Sequence, residues 1–340
     1  MRFFLHIYGM IVQKKEWRMK TATIFRAGEP DVIEYVDRPD PVPAAGEVLV
    51  EISIAGVNFM DIGVRQGNFW TETTFPKTLG VEGVGRVLEI GEGVDSVLPG
   101  QRVAWVYSPG SYAEKAVIKA NSLVLVPDAI DDRTAVSAMM QGLTASHFAT
   151  EFYSVQPGDI ALVHAAAGGV GLLLTQIIKL RGGYVIGRVS SESKAAAARE
   201  AGADQVIVDT EGQFAEEAIC LSHGEGVHVV YDGSGPKTFQ GSLDALRISG
   251  VLCWYGPVLG APGLIDLTKL PKSIKIGFPT FFHHIRTPEL LRFHAAKIFE
   301  WILEGKLHIN IGGVYPLADA SKAHSDMESR STTGKLLLVP

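Results

Sequence analysis

Ile160-Ala161-Leu162-Val163-His164-Ala165-Ala166-Ala167-Gly168-Gly169-Val170-Gly171 begins as a short apolar run and breaks at small residues. It continues into Leu172-Leu173-Leu174-Thr175-Gln176-Ile177-Ile178-Lys179-Leu180, whose apolar positions recur at helical spacing. The pattern predicts a buried parallel strand, a tight glycine-rich turn and a helix. Such a turn aims backbone N–H groups, and the positive end of the helix dipole, at an anion. Ala166, Gly168 and Gly171 stand at the three glycine positions of the G-x-G-x-x-G dinucleotide fingerprint, the first departing from it by one methyl group. A flexible glycine-rich loop would carry the same residues. The flanking strand and helix favour a dinucleotide site instead, with Ala166, Gly168, Gly169, Val170 and Gly171 as its cradle.

The next strand is read at Tyr184-Val185-Ile186-Gly187, followed by Arg188-Val189-Ser190-Ser191-Glu192-Ser193-Lys194. An NAD site usually places Asp or Glu at this strand end to accept from the ribose 2′-OH. No carboxylate stands there, and Glu192 falls later, in the expected first turn of a helix. Ser190 and Lys194, with Arg188 as a further candidate, offer the donors and positive charge that suit a 2′-phosphate. Either basic residue alone would pass for a surface charge. The missing acid and the basic pair point the same way, so NADP(H) is expected rather than NAD.

The chain has 340 residues, enough for one or two domains, and 46% hydrophobic content supports a large core. A net charge of −6 argues against nucleic acid as the main partner. Cys220 and Cys253 show no metal or redox spacing, which suits a reducing, cytoplasmic setting. No apolar run reaches the ~18 residues of a membrane span. Met1 to Arg18 faintly resembles a secretory segment, but His6 interrupts it and no small-residue cleavage site precedes Lys14-Lys15-Glu16. Residues 1–18 are read as an N-terminal extension, with a credible start at Met19.

From Met19 to about Ala120 the chain is rich in Val, Ile, Gly and Pro. Strands at Val48–Ile54, Gly83–Ile90 and Gln101–Val106, separated by turn clusters, predict a mostly antiparallel β domain. From about Thr144, strands near Ile160, Tyr184, Gln205, His228 and Gly250 alternate with helices at Ser193–Ala201 and Phe239–Arg247. That alternation predicts a parallel α/β sheet. Helices at Pro288–Glu304 and Ala318–Glu328 and a strand at Lys335–Val339 close the chain.

Five segments carry a family likeness: Gly56-Val57-Asn58-Phe59-Met60-Asp61, Gln141-Gly142-Leu143-Thr144-Ala145, His164–Gly171, Tyr231-Asp232-Gly233-Ser234-Gly235, and Glu328-Ser329-Arg330-Ser331-Thr332-Thr333-Gly334-Lys335. From Met19 to Pro340 the chain resembles the medium-chain dehydrogenase/reductases, and more narrowly the zeta-crystallin-like quinone oxidoreductases. The resemblance implies an α/β fold: a GroES-like β domain from residues 19–142 and 279–340, and a doubly wound Rossmann NADP-binding domain from residues 143–278. It implies a homodimer paired partly through an edge of the nucleotide-domain sheet. It places Gln141, Thr144, Trp254, Tyr255 and Phe278 beside the nicotinamide and Arg330 near the phosphate end.

Alcohol dehydrogenases of the same superfamily hold a catalytic zinc with two cysteines and a histidine. Local motif alignment puts Asn58, Val81 and Gln141 at those positions, and none is a good zinc ligand. The cysteine-dense structural-zinc loop is also missing. No metal is expected, and zinc-type alcohol oxidation is disfavoured. His283-His284 is an adjacent pair that regular secondary structure would not converge on one ion, so a surface or capping role is expected.

A nicotinamide can still reduce an acceptor that is already electron-poor, such as a quinone or an α,β-unsaturated carbonyl. The protein then supplies orientation, exclusion of water and a hydrogen bond to the developing oxyanion. Asn58 is the first candidate for a donor near the ribose or substrate, although Asn is common in turns. Arg65 is a candidate anchor for substrate or cofactor, or a partner for a structural Asp61. Tyr107 is a candidate donor in the cleft, although strand aromatics often only pack. The family resemblance implies a Tyr, in some relatives, at the position of Gly63 and, in some, at that of Asp209. The first change is expected to widen the pocket, and the second to make the adenosine phosphate less welcome. Gly67-Asn68-Phe69-Trp70 and Phe278-Pro279-Thr280-Phe281-Phe282 are expected to line an aromatic cleft. Quinone and enone reduction need the same geometry and stay undivided. A non-catalytic NADPH-binding structural or regulatory protein is the competing class.

Overall fold

The computed structural model describes residues 18–72, 74–256, 260 and 262–340. The expected N-terminal extension, up to residue 17, lies outside the described residues. The chain opens with β1 (Arg18–Ile24) and β2 (Ile33–Pro39), an antiparallel pair. β3 (Glu47–Val57) leads into α1 (Phe59–Arg65), and the short β4 (Lys77–Thr78) pairs with β1. β5 (Glu82–Ile90), β6 (Arg102–Val106), β7 (Lys115–Lys119) and β8 (Leu123–Leu125) then build outward from β3. Val48, Val50, Ile52 and Ile54 alternate inward along β3 and are buried, as a sheet packed on one face requires.

α2 (Asp132–His147) carries the chain away from this sheet, and a π-helical turn at Phe148–Phe152 follows it. Next come β9 (Ile160–His164), α3 (Gly169–Leu180), β10 (Tyr184–Val189), α4 (Glu192–Glu200), β11 (Gln205–Val208) and α5 (Ala215–Leu221). They are followed by β12 (Val227–Asp232), α6 (Pro236–Ala245), β13 (Leu246–Trp254) and β14 (Lys275–Gly277). Strand order is β11-β10-β9-β12-β13-β14, and every pairing is parallel. This is the doubly wound order, and its direction of winding reverses between β9 and β12. Ala161, Leu162 and Val163 are wholly buried because helices cover both faces of such a sheet.

α7 (Phe281–His284) and α8 (Pro288–Leu303) bring the chain back to the first sheet. There β15 (Ile311–Pro316), α9 (Ala320–Glu328) and β16 (Lys335–Val339) complete the seven-stranded order β15-β16-β3-β5-β6-β8, with β7 on β3. Several elements differ from the sequence reading. α6 starts at Pro236, where proline suits the first turn, and stops before Leu246, which begins a strand. α2 has no counterpart in that reading, and the expected boundary at residue 142 falls within it. α9 starts at Ala320, after a 3₁₀ turn at Leu317–Asp319.

Candidate active site

Ligands of a doubly wound sheet bind at the carboxyl ends of its strands, where the winding reverses. The β9–α3 turn lies there. Ala166 is buried, whereas Gly168, Gly169 and Val170 are half-exposed and open the turn outward. A Cβ on Gly171 would lie 2.3 Å from the Ala165 carbonyl oxygen, so only glycine lets α3 start this close to the turn. A Cβ on Gly169 would lie within 2.1 Å of the Gln141 side chain, which places Gln141 directly over the turn. Gly168 forms a bridge with Gly334, and the Gly334 N–H donates to the Ala167 carbonyl at 3.1 Å. The loop before β16 therefore lies against the fingerprint turn.

That loop also delivers Arg330. The Lys194 ammonium donates to the Arg330 carbonyl and lies 3.3 Å from Ser190 Oγ. Burial and the nearby Arg330 charge lower the Lys194 pKa from its ordinary value. Ser190 and Lys194, four residues apart, and the distant Arg330 thus gather beyond β10. Arg188 does not join them. Its guanidinium is bound to Asp209 at 2.6 Å, lies over the Phe214 ring and sits 3.5 Å from His164 Nδ1. Asp209 in turn accepts from the N–H groups of Glu211, Gly212 and Gln213, and these bonds with Arg188 hold its pKa down. The expected conflict between Asp209 and a phosphate is corrected: its charge is engaged by Arg188 and three amides.

Of the positions equivalent to zinc ligands, Asn58 touches a buried ion pair. Lys335 Nζ lies 2.5 Å from Glu82 Oε2 and 2.8 Å from Asn58 Oδ1. Asn58 Nδ2 donates to Glu82 Oε2 at 3.0 Å and to the Gly56 carbonyl at 3.3 Å. The Met140 N–H donates to Glu82 Oε1, which ties α2 to the same carboxylate. All three side chains are buried. Both amide hydrogens of Asn58 are therefore engaged, and only its Oδ1 keeps a lone pair for a further partner. Sequence reasoning misses Glu82 and Lys335. A signal for them exists: each is a charge set in an apolar strand, and such charges are buried only when paired.

Arg65 is placed differently from expectation. It is fully buried and bound bidentately to Glu328 at 2.7 and 3.0 Å, with further bonds to the Gly28 carbonyl and His324. The anchoring role is corrected, because four of its five donors are already engaged, three of them holding α1 against α9 and one on the Gly28 carbonyl. Asp61 accepts from the Asn58 N–H at 2.8 Å and the Tyr112 hydroxyl at 3.2 Å, and burial raises its pKa to about 7. Thr144 Oγ1 donates back to the Met140 carbonyl at 2.6 Å. Tyr107 takes a φ of 61° just after β6, and its ring meets Phe281 edge-on at 4.8 Å. Among the described residues its hydroxyl has no hydrogen-bond partner, and burial raises its pKa. Tyr255 packs on Phe148 at 4.7 Å and fills the space above Gly233, on the loop after β12. Phe278 is exposed against Trp254. The space at Gly63 is not left open: a Cβ there would lie 2.2 Å from the Phe69 ring, which occupies it.

Comparison with known proteins agrees with this geometry. Residues 44–128 match the alcohol dehydrogenase GroES-like domain, and residues 169–295 match the zinc-binding dehydrogenase model. The quinone oxidoreductase of Pseudomonas aeruginosa is 36% identical over 316 residues, 92% of this chain and 97% of that protein. The 2-haloacrylate reductase of Burkholderia is 32% identical, covering 94% and 98%. The crystal structure of Escherichia coli quinone oxidoreductase complexed with NADPH is 34% identical and superposes with a TM-score of 0.90, covering 95% and 99%. These matches, with two sheets wound in these orders and a dinucleotide turn, assign this chain to the zinc-independent quinone oxidoreductase family of the medium-chain dehydrogenase/reductases.

Proposed function

We propose that this chain is an NADPH-dependent reductase of quinones and α,β-unsaturated carbonyls that works without zinc. The observation that carries the reading is the cluster of Ser190, Lys194 and Arg330 beyond a β10 end that bears no carboxylate. Two cations and a hydroxyl suit a 2′-phosphate and would leave a 2′-hydroxyl without an acceptor. The half-exposed amides of Gly168, Gly169 and Val170, at the start of α3, would hold the pyrophosphate. The bound nicotinamide supplies the hydride. Gln141, Thr144 and Tyr255 would form its walls, and Asn58 Oδ1 would accept from a ribose hydroxyl.

Asn58, Val81 and Gln141 offer no Lewis acid site, and the Lys335 ammonium already neutralises Glu82 beside Asn58. The acceptor must therefore delocalise the incoming charge itself, which is the property shared by quinones and enones. The free Tyr107 hydroxyl, on a ring fixed by Phe281, would donate to the developing oxyanion. The division into residues 19–142 with 279–340 and residues 143–278 belongs to the same reading. So does a cytoplasmic homodimer. β14 is an edge strand followed directly by exposed Phe278, an arrangement that favours pairing with a second copy. Among the described residues no helix is long and apolar enough to cross a membrane.

The test is oxidation of NADPH and of NADH, followed by loss of reduced-nicotinamide absorbance, with a small quinone and a linear enone. Turnover with NADPH well above NADH supports the reading, and the quinone-to-enone ratio divides the two substrates. NADH preference would overturn the phosphate site. Tight NADPH binding without turnover of either acceptor would move the chain to a non-catalytic class.

A further inference from the structure

Four titratable side chains from separate elements meet where the chain passes between the two sheets. His147 ends α2, Glu151 lies in the π-helical turn after it, His284 ends α7, and His294 lies in α8. α2 is the outgoing connection and α7–α8 the returning one. Glu151 Oε2 lies 2.8 Å from His284 Nδ1 and 3.6 Å from His147 Nδ1, and Glu151 Oε1 lies 3.6 Å from His294 Nε2. The His284 and His294 rings are stacked with centroids 3.4 Å apart, and the His147 ring is 5.0 Å from that of His284. One ligand atom each from His147, Glu151 and His284 falls within 4.8 Å of the others. The expectation that His284 serves at the surface is corrected: it is 1% exposed.

We propose that His147, Glu151 and His284 form a binding site for a divalent cation of the zinc class, with its fourth position left to water. The cluster lacks the bonds that would explain it otherwise. His147 Nδ1, both ring nitrogens of His284 and His294 Nε2 are buried without a hydrogen bond. Glu151 Oε2 approaches His284 Nδ1 to 2.8 Å as an ion-pair contact. Buried polar atoms are nearly always partnered, and an unpartnered nitrogen from each of His147 and His284 beside the Glu151 carboxylate calls for a common partner. A tetrahedral zinc with bonds of about 2.0–2.1 Å holds its ligand atoms about 3.3 Å apart. The separations of 2.8 and 3.6 Å bracket that spacing.

Chemistry agrees with geometry. Imidazole and carboxylate together suit zinc, and the imidazole must be deprotonated to bind it. Burial, with the His284 charge second, pushes His147 and His294 down to about 4, and burial lowers His284 as well. Glu151 is exposed and provides the way in. The ligands are separate from Asn58, Val81 and Gln141, so the ion would join the two connecting segments and take no part in hydride transfer. The site does not depend on the proposed reductase activity.

The test uses the untagged full chain, stripped with chelator and titrated with Zn²⁺ alone in a calorimeter. One ion per chain is expected, with affinity falling at least about tenfold in Glu151→Gln and in His147→Gln. Glu151 is exposed, so its variant keeps the fold even if His284→Ala does not. Cobalt in place of zinc should give visible bands of tetrahedral intensity in the wild type that fade in His147→Gln. Zinc should raise the thermal unfolding midpoint of the wild type and not that of His147→Gln. Absence of stoichiometric binding, or binding unchanged in both variants, would overturn the proposal.

Discussion

Lys335 Nζ lies 2.5 Å from Glu82 Oε2, and both side chains are buried, at 1% and 0% exposure. The pair links β16, near the C-terminus, to β5 at the heart of the first sheet, and Asn58 bridges the two charges. A buried pair is weak evidence of net stabilisation, but removing one partner leaves an uncompensated charge. Lys335→Met is therefore expected to lower stability by about 3–5 kcal/mol in urea unfolding. Adding Glu82→Gln to that variant should recover part of the loss. A cost for Lys335→Met below about 1 kcal/mol, the range of exposed pairs, would mean that water reaches Glu82.

Lys194 and Arg330 lie 136 residues apart and meet through a single ammonium-to-carbonyl bond. A charge-assisted bond to a phosphate contributes about 1.5–3 kcal/mol, which is roughly 10- to 100-fold in binding. Lys194→Ala should raise KM for NADPH by that factor and leave KM for NADH nearly unchanged. Equal losses with both cofactors would assign Lys194 to the architecture of α4 and not to phosphate recognition.

The nucleotide sheet is legible in the sequence because its signals are local. A parallel strand, a small-residue turn and a helix lie within Ile160–Leu180 and need no distant partner to be read. α2 escapes because it is buried on nearly every face, from Ala135 to His147, so it presents no amphipathic stripe. The candidate site is legible in part. Ser190 and Lys194 are four residues apart and can be paired by spacing, and Arg330 joins them only by family likeness. Arg65 misleads because a cation near a cleft motif reads the same whether it is free or bound. Its partner Glu328 lies 263 residues on. His147, His284 and His294 sit in three separate elements, and only the packing of α2 against α7 and α8 brings them together.

Gly63 and Phe69 make a reciprocal pair, since a Cβ at Gly63 would lie 2.2 Å from the Phe69 ring. Placing a tyrosine at Gly63 is a direct test of which residue owns the space. Gly63→Tyr alone should destabilise the chain by about 1–3 kcal/mol through overpacking. Gly63→Tyr with Phe69→Ala should be better tolerated than the sum of the two single changes. Strict additivity of the unfolding free energies would show that the residues do not compete.

Asp61 gives the clearest pH dependence. It is wholly buried; it accepts from Asn58 and Tyr112 at Oδ2, and Oδ1 has no partner. Burial raises its pKa from the ordinary 3.8 to about 7. The folded state therefore binds a proton that the unfolded state releases across this window, and stability falls as pH rises through it. Below pH 3.8 Asp61 is protonated in both states, and above about 7 it is ionised in both, so the dependence is flat at each end. Asp61→Asn keeps an acceptor for the Asn58 N–H and cannot ionise. The stability of the wild type minus that of Asp61→Asn should decline as pH rises between these two values, with a slope of at most roughly 1.4 kcal/mol per pH step of one. A difference that is level, or that rises with pH, would mean that Asp61 is charged in the folded protein and held by the Lys335 field.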